Sequence, residues 1–154
     1  MIAVVEVRDR PLSIDEAYAA VAHPSCGAVA IFTGVVRDSS EGRPVTRLEY
    51  SAYDRMATDE MRRVAEEIAA ENQHVRLYAV HRTGDLAVGD VAIVCAAASP
   101  HRREAFRAAQ ALIDRIKERV PVWKREHGPD GAVWVGWVDA RCSPEDGHGH
   151  GHGH

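Results

Sequence analysis

The segment between Ser99 and Pro121 constrains the fold more than any other part of the chain. Ser99 is a good N-cap type, Pro100 suits a first helical position where its missing N–H costs nothing, and Pro121 stops a helix before it. Between them Ala105, Phe106, Ala109, Leu112, Ile113 and Ile116 recur at helical spacing. The pattern predicts one long helix over about residues 99–119. Its apolar stripe needs a cover, and β-prone segments on either side can supply a sheet.

The rest of the chain alternates strands and helices. Residues 2–7 form a β-branched run, and Ser13-Ile14-Asp15-Glu16 is a capping box that opens a helix over about 13–22. Residues 28–36 are apolar and β-prone, residues 38–44 have loop composition, and residues 45–53 read as a half-exposed strand. A helix at about 55–72 places Met56, Met61, Val64, Ala65 and Ile68 on its apolar face. Strands follow at 75–81 and 85–98, the second interrupted at Val88-Gly89-Asp90. A last pair, 122–124 and 132–138, flanks the turn Gly128-Pro129-Asp130-Gly131. This order predicts an α+β domain over residues 1–142, a two-layer mixed sheet with flanking helices. Residues 143–154 end in four Gly-His pairs and read as a disordered tail. Glycine flanks cannot preorganise a metal site, so neither a resident metal nor a cofactor is expected.

Composition excludes several classes. With 154 residues, 45% of them hydrophobic, the chain is long enough for a real core. No apolar run approaches the ~18 residues of a membrane span, and no basic segment precedes an apolar stretch at the N-terminus. A cytoplasmic protein that does not contact membranes is the expectation. Cys26, Cys95 and Cys142 are odd in number and lack a C-x-x-C pair, so neither a disulfide framework nor a zinc knuckle is indicated.

The net charge of -4 hides an asymmetry. Residues 101–126 carry eight basic and four acidic side chains, so this segment is cationic on an acidic protein. Such a zone favours a small anionic ligand or an acidic peptide over nucleic acid, which needs a broad basic face. Of the 19 basic residues only Lys117 and Lys124 are lysines. A guanidinium stays protonated, whereas an amine pressed against other cations can lose its proton near neutral pH and act as base or nucleophile. The start of the predicted helix carries His101, Arg102 and Arg103, a mismatch with the helix dipole of about 0.3–1 kcal/mol per charge. Free backbone amides beside cationic side chains suit a phosphate. His101 and Lys117 are 16 residues apart, roughly 24 Å along a helix, too far for one small substrate. If both serve one pocket, two copies of the helix run antiparallel across a twofold axis.

Several segments resemble one known family. They are Phe32-Thr33-Gly34-Val35-Val36-Arg37, residues 50–57 (YSAYDRMA), His81-Arg82-Thr83-Gly84 with Val88-Gly89-Asp90, Ser99-Pro100-His101-Arg102 with Ala105-Phe106, and Lys117-x-x-x-Pro121-Val122-Trp123-Lys124-Arg125-Glu126. In this order, over about residues 2–141, they resemble the large, catalytic subunits of molybdopterin synthase. The last motif is the most specific.

The resemblance implies an α/β hammerhead fold and a sulfur transferase of molybdenum cofactor biosynthesis. Such an enzyme converts cyclic pyranopterin monophosphate (precursor Z) into molybdopterin. Its sulfur donor is the thiocarboxylated C-terminus of a small ubiquitin-like subunit, one at each end of a dimer of large subunits. Lys117 and Lys124 carry over as catalytic lysines, and Val35, Val36, Arg37, His101, Arg102, Arg125, Glu126 and Arg141 join them in the substrate pocket. Two rivals fit the charges alone. One is a non-catalytic scaffold subunit whose lysines dock an anion or an acidic peptide tail, and the other is a Schiff-base lyase using Lys117.

Overall fold

The run VAIVCAAAS at residues 91–99 is apolar at both alternating sets of positions, the pattern of a strand covered on two sides. It forms the centre of the molecule. A computed structural model describes residues 1–135; Arg141, Cys142 and the tail from 143 lie outside them. In chain order the elements are β1 (Ile2–Arg8), α1 (Ile14–Val21), β2 (Ala28–Val35), β3 (Ser39–Ser40), β4 (Arg43–Pro44), β5 (Arg47–Ala52) and α2 (Asp54–Glu71). Then come β6 (Arg76–Arg82), β7 (Gly84–Ala87), β8 (Val91–Ser99), α3 (Arg102–Arg119), β9 (Val122–Gly128) and β10 (Gly131–Val135).

The first sheet has the order β1-β6-β8-β2, with β1 parallel to β6 and the other pairs antiparallel. Helices α2 and α3 cover one face, where Met61, Val64, Leu112 and Ile116 pack on Leu77, Ala79, Cys95 and Ala97. Helix α1 covers the other face through Ala17 and Val21 against Tyr78, Val80, Val94 and Ala96. The alternation of β8 divides its side chains between these two cores. The second sheet, β10-β9-β5-β7, is antiparallel throughout. A small core of Val36, Val45, Leu48, Leu86 and Ala92 lies at its junction with the first. The mixed α+β class with flanking helices is as expected.

Several local expectations are corrected. The long helix starts at Arg102, not Ser99: pairing with Ala28 keeps Ser99 in β8, and His101 takes the N-cap position without a side-chain bond. The capping box at Ser13 is half made. Ser13 Oγ accepts the Glu16 N–H at 3.0 Å, but the Glu16 carboxylate turns to Arg8 and Tyr78 instead of returning to the cap. Phe106 and Met56 are exposed. Each sits about 100° around its helix from a buried alanine, Ala105 or Ala57, and so falls at the margin of the stripe.

The segment 38–44, expected to be loop, forms the two-rung ladder β3–β4. Its turn uses positive φ at both Glu41 and Gly42, as a tight hairpin requires. Arg115 and Arg119 on α3 pair with Glu60, Glu67 and Glu71 on α2. These exposed pairs add little stability each. They do fix which side of the last turn of α3 faces α2, and Lys117, two residues from both arginines, is left on the other side.

Candidate active site

A cavity of about 360 Å³ opens at the junction of the two sheets, within the size range of small-molecule sites. Its wall takes residues from eight of the described elements: β2, β6 and β8 of the first sheet meet β5, β9 and β10 of the second beneath the end of α3, and β3 adds to one side. Lys117 comes from the last turn of α3, where a cation suits the dipole. Strand alternation sends Val122, Lys124 and Glu126 of β9 into the cavity. The end of β2 contributes Val35, followed by Val36 and Arg37, and β3 contributes Ser39 and Ser40.

Glu126 is 4% exposed and anchors this group. Its Oε1 accepts a 3.0 Å bond from Arg43 Nη2, and its Oε2 lies 3.7 Å from Lys124 Nζ as an ion pair. Burial lowers the Lys124 pKa, the Glu126 charge opposes this, and the charges of Lys117 and Arg37 lower it further. The net direction is down, toward an amine that can exist unprotonated. Tyr50, half-buried on β5, is pushed up to about 12 by burial and by the Glu126 charge, so it keeps its O–H.

The structure thus gathers Val35, Val36, Arg37, Lys117, Lys124 and Glu126 in one cavity. Arg125 does not join them. Alternation turns it to the opposite face of β9, where its guanidinium lies 5.6 Å from the Trp134 ring centroid on β10. His101 and Arg102 are exposed at the far end of α3, about 24 Å from Lys117. Within one chain they are not part of the cavity. Arg141 lies outside the described residues.

His81 and Tyr50 line the cavity without having been expected there. A histidine closing an otherwise apolar run was the available signal for His81. Neither Cys26 nor Cys95 lines it, and burial pushes the Cys95 thiol up to about 12. Among the described residues no group of three or more His, Cys, Asp or Glu could hold a metal ion, and no helix is long and apolar enough to cross a membrane.

Two amines, an arginine and a buried carboxylate make this an α+β domain with a cationic cavity at its sheet junction. The family model "MoaE protein" matches residues 7–119, and the chain belongs to that family. Molybdopterin synthase catalytic subunit 1 of Mycobacterium tuberculosis is 45% identical over 128 residues, which is 83% of this chain and 87% of the relative. The molybdopterin synthase catalytic subunit of Pyrococcus abyssi is 44% identical over 123 residues, 80% of this chain and 83% of the relative. The crystal structure of molybdopterin synthase from Staphylococcus aureus superposes with a TM-score of 0.83 at 37% identity, covering 86% of this chain and 96% of that one.

Proposed function

We infer that the chain is the catalytic subunit of a molybdopterin synthase. It converts precursor Z to molybdopterin with the thiocarboxylated C-terminus of a small ubiquitin-like subunit as sulfur donor. The observation that carries this reading, beside family membership, is that the two lysines of the chain meet in one cavity with Arg37 and Glu126. The donor brings a thiocarboxylate, the substrate a phosphate, and acyl transfer develops oxyanion charge, so cations must converge on the reacting atoms. Lys117 acts at the reacting carbons or on the acyl-linked intermediate. Lys124, partly desolvated and tethered to Glu126, positions the donor terminus and moves protons. Arg37 holds anionic oxygen.

The phosphate site is completed by a second copy. His101 and Arg102 of one chain reach the cavity of the other across a twofold axis, which the length of α3 requires if they serve it. Exposed Phe32 and Val35 on the edge strand β2, with Phe106 on the first turns of α3, offer that copy an apolar surface. The cytoplasmic location expected from the sequence belongs to this reading. The experiment is incubation with precursor Z and thiocarboxylated small subunit. Dithiolene product is expected, and no product with both components verified refutes the assignment.

A further inference from the structure

His81, near the end of β6, lines the cavity with Lys117 and Lys124, and the reaction described above gives it no role. It is 8% exposed. Its Nδ1 lies 2.8 Å from the backbone carbonyl oxygen of Arg82. A carbonyl only accepts, so Nδ1 carries the proton and donates it, and in the neutral ring Nε2 is left with a lone pair. Tyr50 holds the ring edge-on, with centroids 5.1 Å apart at 74°. Among the described residues Nε2 has no hydrogen-bond partner.

The titratable and charged groups that share the cavity with this ring are Tyr50 from β5, Lys117 from α3, Lys124 and Glu126 from β9, and Arg37 beyond β2. The one carboxylate among them is already engaged by Arg43 and Lys124. Cations therefore outnumber free acceptors. Burial, opposed by the bond to Arg82 and aided by the Lys117 charge, brings His81 down to about 4. The ring is an uncharged acceptor at neutral pH, not another cation.

We propose that His81 is the positioning residue for Lys117: the two side chains share the cavity without a bond in this structure, and on ligand binding the unpartnered Nε2 accepts a hydrogen bond from the Lys117 amine and orients that amine toward the ligand. A neutral amine that donates one N–H to Nε2 keeps its own lone pair free for the reacting centre. A protonated amine is held in the same place. This rests on the proposed function for the task of Lys117, but the state of the ring does not.

Two measurements test it. In the full chain labelled with 15N and 13C, the His81 ring nitrogens are followed by NMR from about pH 5.5 to 8 and assigned through bond correlations to the His81 backbone. The proton should stay on Nδ1 with no titration. A proton on Nε2, or a midpoint in that range, overturns the proposal. The measurement uses the unaltered chain, so it decides even where a variant fails to fold.

The second compares His81→Gln, which keeps an acceptor, with His81→Phe, which keeps only volume, in turnover with precursor Z and thiocarboxylated small subunit. His81→Phe should lower kcat on the order of 10–100-fold with KM little changed, and His81→Gln should recover most of the loss. Equal loss in both variants, or a loss carried by KM, overturns it, the second result pointing to contact with substrate instead. A wild-type chain that forms no product indicts the functional reading, and the ring-nitrogen result still decides on His81.

Discussion

Lys124 Nζ stands 3.7 Å from Oε2 of Glu126, two residues along the same face of β9. The carboxylate favours the charged amine while burial and the neighbouring cations disfavour it. Glu126→Gln keeps the shape and removes the opposing charge, so the Lys124 amine should titrate at a lower pH still. Because the chain has two lysines, 13C-dimethylation resolves each amine by NMR. A Lys124 midpoint that stays put or rises would contradict the pairing.

Lys117→Arg separates chemistry from docking. A guanidinium keeps the charge at the end of α3 but cannot shed a proton. Turnover should fall by about 10²–10⁴-fold, the usual worth of a positioned acid or base, with affinity for the small subunit nearly unchanged. Turnover kept near wild type would favour a scaffold that only docks an acidic tail.

Shared sites across a twofold axis predict complementation. Lys117→Ala and Arg102→Ala homodimers should each be nearly inactive. A heterodimer of the two contains one cavity with both groups intact, so activity should return to about half of wild type if the cavities act independently. Verified heterodimers without recovery would refute the antiparallel arrangement.

Stability should depend on acid through His81. Its folded value of about 4 lies below the ordinary 6.5, so between these values the unfolded chain binds more protons. The contribution is fully present above pH 6.5 and is lost as pH falls toward 4. It is about 3 kcal/mol, the free-energy equivalent of that displacement. Urea unfolding at stepped pH should show a shallower acid limb in His81→Gln.

Gly128 sits where the exit of the β3–β4 hairpin passes β9, and a Cβ there would overlap the Pro44 carbonyl. Gly128→Ala should cost about 1–3 kcal/mol, as overpacking does. It should also lower turnover, because the same hairpin supplies Ser39, Ser40 and the Arg43 partner of Glu126. Thermal unfolding and kcat together check both effects.

Much of this was legible in the sequence because it is local. The alternation of β9, the dipole at the end of α3 and the scarcity of lysine need only neighbours along the chain. Arg125 was misplaced by reading Lys124-Arg125-Glu126 as a block, although period-two alternation already separates its middle member from the other two. Ser99 reads as a cap until its pairing with Ala28, 71 positions away, claims it for β8. His81 and Tyr50 become cavity residues only through the meeting of two sheets, which no local pattern encodes.

The seam between the sheets has a mechanical consequence. Lys117 rides on a helix packed on the first sheet, and Lys124 belongs to a strand of the second. A ligand gripped by both amines therefore staples the two halves together, and its affinity adds directly to the work needed to pry them apart. Substrate and donor tail should each act as folding ligands.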